Sequence, residues 1–224
     1  ADLWYVFGFD NSSGFTAVNN MGSDSSFIAD IFAPTLTEVT PVTTRTNDTT
    51  PNYTFSSNEV GTIAYGGSCS SDNTSATVDN NTITFRKTSG GGLDEGTYSN
   101  CTIRVTDDAE NTSDNLSVSS FTIDTTAPSL TQVTAVPTPT NDNTSLSYTF
   151  SSNEAGTITY GGSCSSSTTA ATADNNTITF NALAEGTYSN CKISVTDNTS
   201  STSDNLSVSS FTIDIATPTL SSVT

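Results

Sequence analysis

Apolar and polar residues alternate along this chain in short runs. Tyr53 and Phe55 share one parity, as do Ile63 and Tyr65, Ile83 and Phe85, and Cys101, Ile103 and Val105, with mostly polar residues between them. A period of two puts alternate side chains on opposite faces of a strand. These runs therefore predict half-buried β-strands whose apolar faces make a core. Clusters of Gly, Asn, Asp and Ser separate them, as in a sandwich or barrel, and no segment carries helical spacing. Late in each series the parity flips. Leu116 and Val118 have one parity and Phe121 and Ile123 the other, and Leu206, Val208, Phe211 and Ile213 repeat the switch. A β-bulge near Ser119 and Ser209 would re-aim these side chains.

The same series occurs twice. Pro34, Pro128 and Pro218 each open a similar phrase, APTLTEVT, APSLTQVT and TPTLSSVT, and matched blocks such as YTFSSNE, YGGSCSS, NNTITF, EGTYSNC and DNLSVSSFTID lie between them. Internal repetition decides the organisation before any motif does. Residues 33–126 form a first repeat, 127–215 a second, and 216–224 read as the start of a further repeat or a donor strand. Residues 1–32 read as a hairpin-like segment. Its stretch SSFIADIFAP aligns with SSFTIDTTAP, so that Phe27 and Asp30 match Phe121 and Asp124. The aromatic run with Leu3, Trp4, Tyr5, Val6, Phe7 and Phe9 is the densest in the chain, and is read either as a core strand of its own chain or as a strand docked into a neighbour. With Leu220 and Val223 at the other end, it is the candidate surface for head-to-tail assembly by strand addition.

Composition narrows the class. The net charge of −18 repels phosphate backbones, so nucleic acid is an unsuitable partner. No apolar run approaches the roughly 20 residues of a membrane-spanning helix. Histidine is absent, which removes Ser-His-Asp and Cys-His mechanisms and histidine-ligated zinc. No base, acid and nucleophile assemble in the sequence, and the expectation is a protein that is not an enzyme. The chain starts at Ala1 and its one methionine is Met21, which is expected of a chain that was processed, as by removal of a secretion signal, or of a fragment.

The opening TNDTTPNYTFSSNEVGTI, the strand GTYSNCTIRVTD and the closing SSFTIDTTAP resemble bacterial immunoglobulin-like repeats of large secreted surface proteins and adhesins, over residues 33–215. The resemblance implies an all-β fold of tandem immunoglobulin-like β-sandwich domains, here with extra terminal strands, and a role as extracellular stalk or spacer. About seven strands per repeat agree with that. Two departures are visible. No Trp lies within either repeat, and Tyr98 and Tyr188 precede Cys101 and Cys191 by three residues where a tyrosine corner has two.

All four cysteines occupy matched positions. Cys69 is expected to bridge Cys101, and Cys164 to bridge Cys191, in an oxidising compartment. A four-thiolate zinc site would need the two repeats to converge, and no CxxC pair is present. The acidic residues Asp107 and Asp108, Asp94 and Glu95, and Glu59 fall in predicted loops, where solvated charge is the plain reading. A sharper one follows from strand direction in a seven-strand sandwich. Asp48, Asp94, Glu95 and Asp124 gather at one end of repeat one, facing Glu154 and Asp197 of repeat two, as a candidate calcium site. No other cofactor is expected. Sequons at Asn52, Asn73, Asn115 and Asn205 are candidate glycan acceptors. The expected function is a non-enzymatic extracellular stalk or filament subunit whose partners are its own copies or flanking repeats. The alternative is an adhesive or carbohydrate-binding module that meets a surface glycan.

Overall fold

The computed structural model describes residues 30–220 and, before them, the backbone of three strands. Alternation dictates the outcome: the described residues form strands and no helix. The first three, β1 (Val6–Asp10), β2 (Gly14–Val18) and β3 (Ser26–Ala29), make an antiparallel meander with β2 in the middle. Among the assembly candidates, Leu3, Trp4, Tyr5 and Val223 lie outside the described residues, and only the backbone of Val6, Phe7 and Phe9 is described, within β1. Leu220 is fully exposed and belongs to no strand.

The chain divides into two compact units between Asp124 and Thr125. In the first, β4 (Leu36–Thr40), β6 (Asn52–Ser57) and β9 (Asp79–Thr84) form one layer in the order β4-β6-β9. The facing layer contains β7 (Gly61–Gly66), β8 (Ser75–Ala76), β11 (Thr102–Thr106) and β12 (Leu116–Ser117) in the order β12-β11-β7-β8. It continues into β10 (Gly96–Tyr98), β13 (Phe121–Ile123) and β5 (Arg45–Thr46), ordered β10-β13-β5. All pairings are antiparallel except β13 with β5, which is parallel.

The second unit follows the same plan. Its strands β14 (Leu130–Thr134), β15 (Ser147–Ser152) and β18 (Asp174–Thr179) make one layer. Opposite lie β16 (Gly156–Gly161), β17 (Ala170–Ala171), β20 (Lys192–Thr196) and β21 (Leu206–Ser207), and beyond them β19 (Gly186–Tyr188) with β22 (Phe211–Ile213). Where the first unit has β5, the second has a single parallel bridge between Thr140 and Ile213.

Each unit buries its own core, and the residues are the ones that the alternation marks. Tyr53, Phe55, Ile63, Ile83, Phe85, Cys101, Ile103, Val105, Phe121 and Ile123 are buried in the first, while Tyr65 is half-buried at its margin. Tyr148, Phe150, Ile158, Ile178, Phe180, Ile193, Val195, Phe211 and Ile213 are their counterparts. Burying each large side chain is worth roughly 1.5 to 3 kcal/mol. A row of offset rings runs through each core. Tyr98, Phe121, Phe85 and Tyr53 stand 5.2, 6.0 and 5.2 Å apart in succession, and Tyr188, Phe211, Phe180 and Tyr148 stand 5.3, 6.3 and 5.8 Å apart. The outward faces are knitted by cross-strand hydroxyl pairs such as Thr54 with Thr82 at 2.8 Å and Thr149 with Thr177 at 2.9 Å.

The bulge expected near Ser119 and Ser209 is not what switches the parity. The run is broken instead: β12 ends at Ser117, β13 starts at Phe121, and the two halves pair with β11 and β10 respectively. Changing partner strands re-aims the side chains without an extra residue in a ladder. Register shifts occur in the first strands, between Glu38 and Thr40 and between Gln132 and Thr134, where Val39 and Val133 are pushed out to 44% and 49% exposure.

Both disulfides form as the matched spacing predicts, Cys69 with Cys101 and Cys164 with Cys191. The preceding Gly-Gly-Ser turn makes the approach. Gly67 has φ of 75°, and a Cβ there would lie 2.0 Å from the Asn100 carbonyl oxygen; Gly162 repeats this with φ of 76° and 2.0 Å from the Asn190 oxygen. Only glycine fits such a turn. The Asn100 side chain accepts from the Ser68 N–H at 3.2 Å and donates to its hydroxyl at 3.1 Å, which holds Cys69 against Cys101.

Candidate metal centre

Three turns of the first unit bring carboxylates together: Asp30 just after β3, Glu59 between β6 and β7, and Asp107 after β11. One oxygen of each lies within 4.8 Å of the others. They are held in place from beneath. Ser57 is buried in β6 and its hydroxyl donates to the Glu59 carbonyl at 2.6 Å. Asn58 accepts from the Thr35 N–H at 2.6 Å and donates to the Glu59 carboxylate at 3.2 Å. Asp107 closes an Asx turn, accepting from the N–H groups of Ala109 and Asn111, both at 2.8 Å, while the Asn111 side chain donates to Asp107 at 2.9 Å and to the Asp30 carbonyl at 3.1 Å. Glu110 takes φ of 66° to let that turn close.

The electrostatics split the group. Burial would raise Asp107, but the donors from Asn111 and Ala109 outweigh it and hold the carboxyl below its ordinary value. Glu59 moves the other way, raised by burial and then by the charges of Asp30 and Asp107. Like charges at this separation repel by about 1 kcal/mol per pair even at the dielectric constant of water. The carboxylates line a cleft of about 450 Å³ with Asn58, Val60, Val78 and Asp108. A hard divalent cation would relieve the repulsion, and Asp30, Glu59 and Asp107 are the residues that could hold one, with waters completing six to eight oxygen ligands.

Of the sequence-predicted metal residues, Asp48, Asp94 and Glu95 stand outside any such group among the described residues. Asp48 caps its own turn, accepting from the Thr50 N–H at 2.8 Å, and Asp94 pairs with Lys87 at 2.7 Å. Asp124 is buried at the end of β13 and pairs with Arg45 at 3.0 Å. Glu154 is half-buried in the turn after β15. Asp197 repeats the Asx turn of Asp107, accepting from the N–H groups of Thr199 at 2.7 Å and Ser201 at 2.9 Å, and its other oxygen is buried without a hydrogen-bond partner. Sequence reasoning named Asp30, Glu59 and Asp107 singly and missed them as a set. The signal was present: the alignment that pairs Asp30 with Asp124 also pairs Glu59 with Glu154 and Asp107 with Asp197. The four sequon asparagines are all exposed, and the side chains of Asn52 and Asn73 also accept hydrogen bonds from Thr84 and Ser75.

The chain matches no family model, no curated protein and no solved structure.

Proposed function

We propose that the chain is a non-catalytic structural protein of the extracellular space, a pair of tandem immunoglobulin-like sandwiches acting as stalk or filament spacers. The observation that carries this reading is duplication. Core, register, aromatic row and disulfide recur in both units, so what was copied is the load-carrying scaffold. Two further features support it. The Tyr98 hydroxyl donates to the Asp94 carbonyl at 3.0 Å and that of Tyr188 to the Ala184 carbonyl at 2.9 Å, the backward-reaching bond of a tyrosine corner. Disulfides in both cores suit an oxidising compartment.

End-to-end assembly by strand complementation extends this reading to a filament. By sequence β3 is the counterpart of β13. In the first unit β13 is paired on both sides, by β10 and β5, whereas β3 has β2 alone among the described residues. An unpaired strand edge is a template for another chain. Electron microscopy and sedimentation of the full chain and of one lacking residues 1–9 test this: filaments from the full chain alone support it, and normal polymers from the truncated chain refute it.

The second reading, a carbohydrate-binding module, is favoured by a polar cleft of about 490 Å³ lined by Lys87, Ser89, Asp94, Glu95 and Tyr98. It lies beside a Gly-rich insertion that the second unit lacks. A glycan array separates the two, because a spacer binds no saccharide.

A further inference from the structure

We propose that the Lys87–Thr88 peptide bond is a processing site for a trypsin-like extracellular protease, and that the cut leaves the chain in one piece because Cys69–Cys101 spans it. This rests on the extracellular reading, since the bridge must be oxidised when the protease arrives.

The site sits where the two copies differ. Where the second unit has Ala182 alone between Asn181 and Leu183, the first has Lys87, Thr88, Ser89, Gly90, Gly91 and Gly92 between Arg86 and Leu93. Both borders of this loop are fixed. Arg86 and Ser70 exchange N–H to carbonyl bonds at 2.8 and 2.9 Å, and the Leu93 N–H donates to the Thr49 carbonyl at 2.7 Å with the leucine side chain buried. Between the borders the loop backbone bonds only to itself among the described residues, Gly90 N–H to the Lys87 carbonyl at 2.9 Å and Lys87 N–H to the Gly91 carbonyl at 3.2 Å. Thr88, Ser89, Gly90 and Gly91 are exposed. Gly90 and Gly91 take φ of 86° and 83°, and a Cβ on either would meet nothing within 4 Å, so no described element leans on the tip.

A folded chain is cut where a stretch opens locally at small cost. Exposed loop tips of small and polar residues are such stretches, and three successive glycines gain more backbone freedom on opening than other residues do. A protease whose specificity pocket carries a carboxylate takes Lys or Arg beside the cut, and the chain offers five of them. Arg45 lies in β5, Arg104 in β11 and Lys192 in β20, each held in a ladder. Arg86 is bonded to Ser70 through both its N–H and its carbonyl. Lys87 belongs to the loop itself, and its ammonium meets only Asp94, in an exposed ion pair at 2.7 Å that holds it weakly.

The bridges single out the same place. Of the cationic residues only Arg86 and Lys87 lie inside a disulfide loop, that of Cys69–Cys101, while Arg104 and Lys192 fall just beyond Cys101 and Cys191. Hydrolysis breaks the bond between the Lys87 carbonyl carbon and the Thr88 nitrogen. One water is consumed, its hydroxyl completing the Lys87 carboxyl and its proton the Thr88 amine. Residues 1–87 keep Cys69 and residues 88–224 keep Cys101, so the two pieces stay joined. They also stay packed, since β7 of one piece pairs with β11 of the other and both pieces contribute to one core. Detachment then needs a second event, reduction of a bridge whose cysteines are 1% and 2% exposed. The first unit is thereby a release point that takes two signals, a cut and a reductant.

The test is limited digestion of the oxidised full chain with trypsin under native conditions, read by intact mass and N-terminal sequencing. The first product should be heavier by one water, should stay a single species without reductant and should keep its circular dichroism. It should part into 1–87 and 88–224 only when reduced in denaturant. Lys87→Gln should slow the first cut by about tenfold or more, because the two Arg86–Ser70 bonds must break before the neighbouring cation is reached. Replacing residues 87–92 by one alanine, as in the second unit, should leave the fold intact and remove the early cut. A first cut at Arg45, Arg104 or Lys192, no product before global unfolding, or a nicked chain that loses its circular dichroism would each overturn the proposal. If the chain resists trypsin while non-reducing peptide mapping finds both bridges, the processing site is refuted and the stalk reading stands. The expected cut in a chain that binds saccharide on a glycan array would do the reverse.

Discussion

The two units repeat the same core pattern and differ in charge. Four of the five cationic residues, Arg45, Arg86, Lys87 and Arg104, belong to the first, and Lys192 alone belongs to the second. Ion pairs in the first unit join Arg45 to Asp124, Arg86 to Asp72 and Lys87 to Asp94. Yet the backbone is indifferent to them. Arg86 pairs with Ser70 through N–H to carbonyl at 2.8 Å, and Asn181 does the same with Ser165 at 2.8 Å. Glu38 grips Ser119 with a carboxylate where Gln132 grips Ser209 with an amide. The architecture thus rests on apolar parity, glycine turns and disulfides, with charge added on one copy as trim.

If that equivalence is right, its largest test is the disulfides. Replacing Cys69 and Cys101 by Ser should cost the first unit about 2 to 4 kcal/mol, and replacing Cys164 and Cys191 should cost the second the same, because loop length enters only as a logarithm. Denaturant titration followed by circular dichroism reads both losses, and markedly unequal ones break the comparison. Next in size is the carboxylate group of the first unit. Calcium at a hundred times its dissociation constant should stabilise that unit by about 2.7 kcal/mol. The melting temperature should therefore rise with calcium and fall back in chelator. Glu59→Gln should abolish the response and, in chelator, raise stability by relieving repulsion; an unchanged melting temperature rules the cation out.

Arg45→Ala should destabilise the first unit by no more than about 1 kcal/mol, since the guanidinium is exposed, and the loss should shrink in high salt. Lys192→Ala in the second unit should change nothing comparable. Tyr148→Phe should be neutral or stabilise by up to about 1 kcal/mol, because the hydroxyl is buried without a partner. Burial pushes that phenol up to about 12. The smallest effect is in acid. Burial raises Glu38, but the Ser119 hydroxyl and N–H outweigh it, so the folded carboxyl titrates below its ordinary 4.5. Its contribution is complete above that value and is lost as pH falls through the folded one. The first unit should weaken against its own Glu38→Gln variant on acidification, and the second, with Gln132, should show no such loss.

Much of this was legible in the sequence because a period of two admits few foldings. Tyr53, Phe55, Ile83 and Val105 announce their burial by parity, and the cysteines announce their partners by recurrence. Two things were not legible. A parity flip at Ser119 looks alike whether one strand bulges or two half-strands change partners, since both invert the face. The carboxylate trio joins residues separated by 29 and 48 positions in turns, where no periodicity operates, and which turns meet depends on strand order. Only comparing the copies would have exposed it.

One consequence of the matched registers concerns how the chain reaches its fold. The strands β9 and β18 carry the same six residues, DNNTIT, and β6 and β15 differ only in their first, so β6 could accept β18 with the pairing it makes to β9. Near-identical neighbours are prone to such domain-swapped misassembly. What disfavours it is distance along the chain, because closing a short loop costs less entropy than closing a long one. As the protein emerges during synthesis, β6 meets β9 before β18 exists. The Cys69–Cys101 bridge then closes the loop that carries β9 and keeps that strand beside the first core, which favours the earlier pairing.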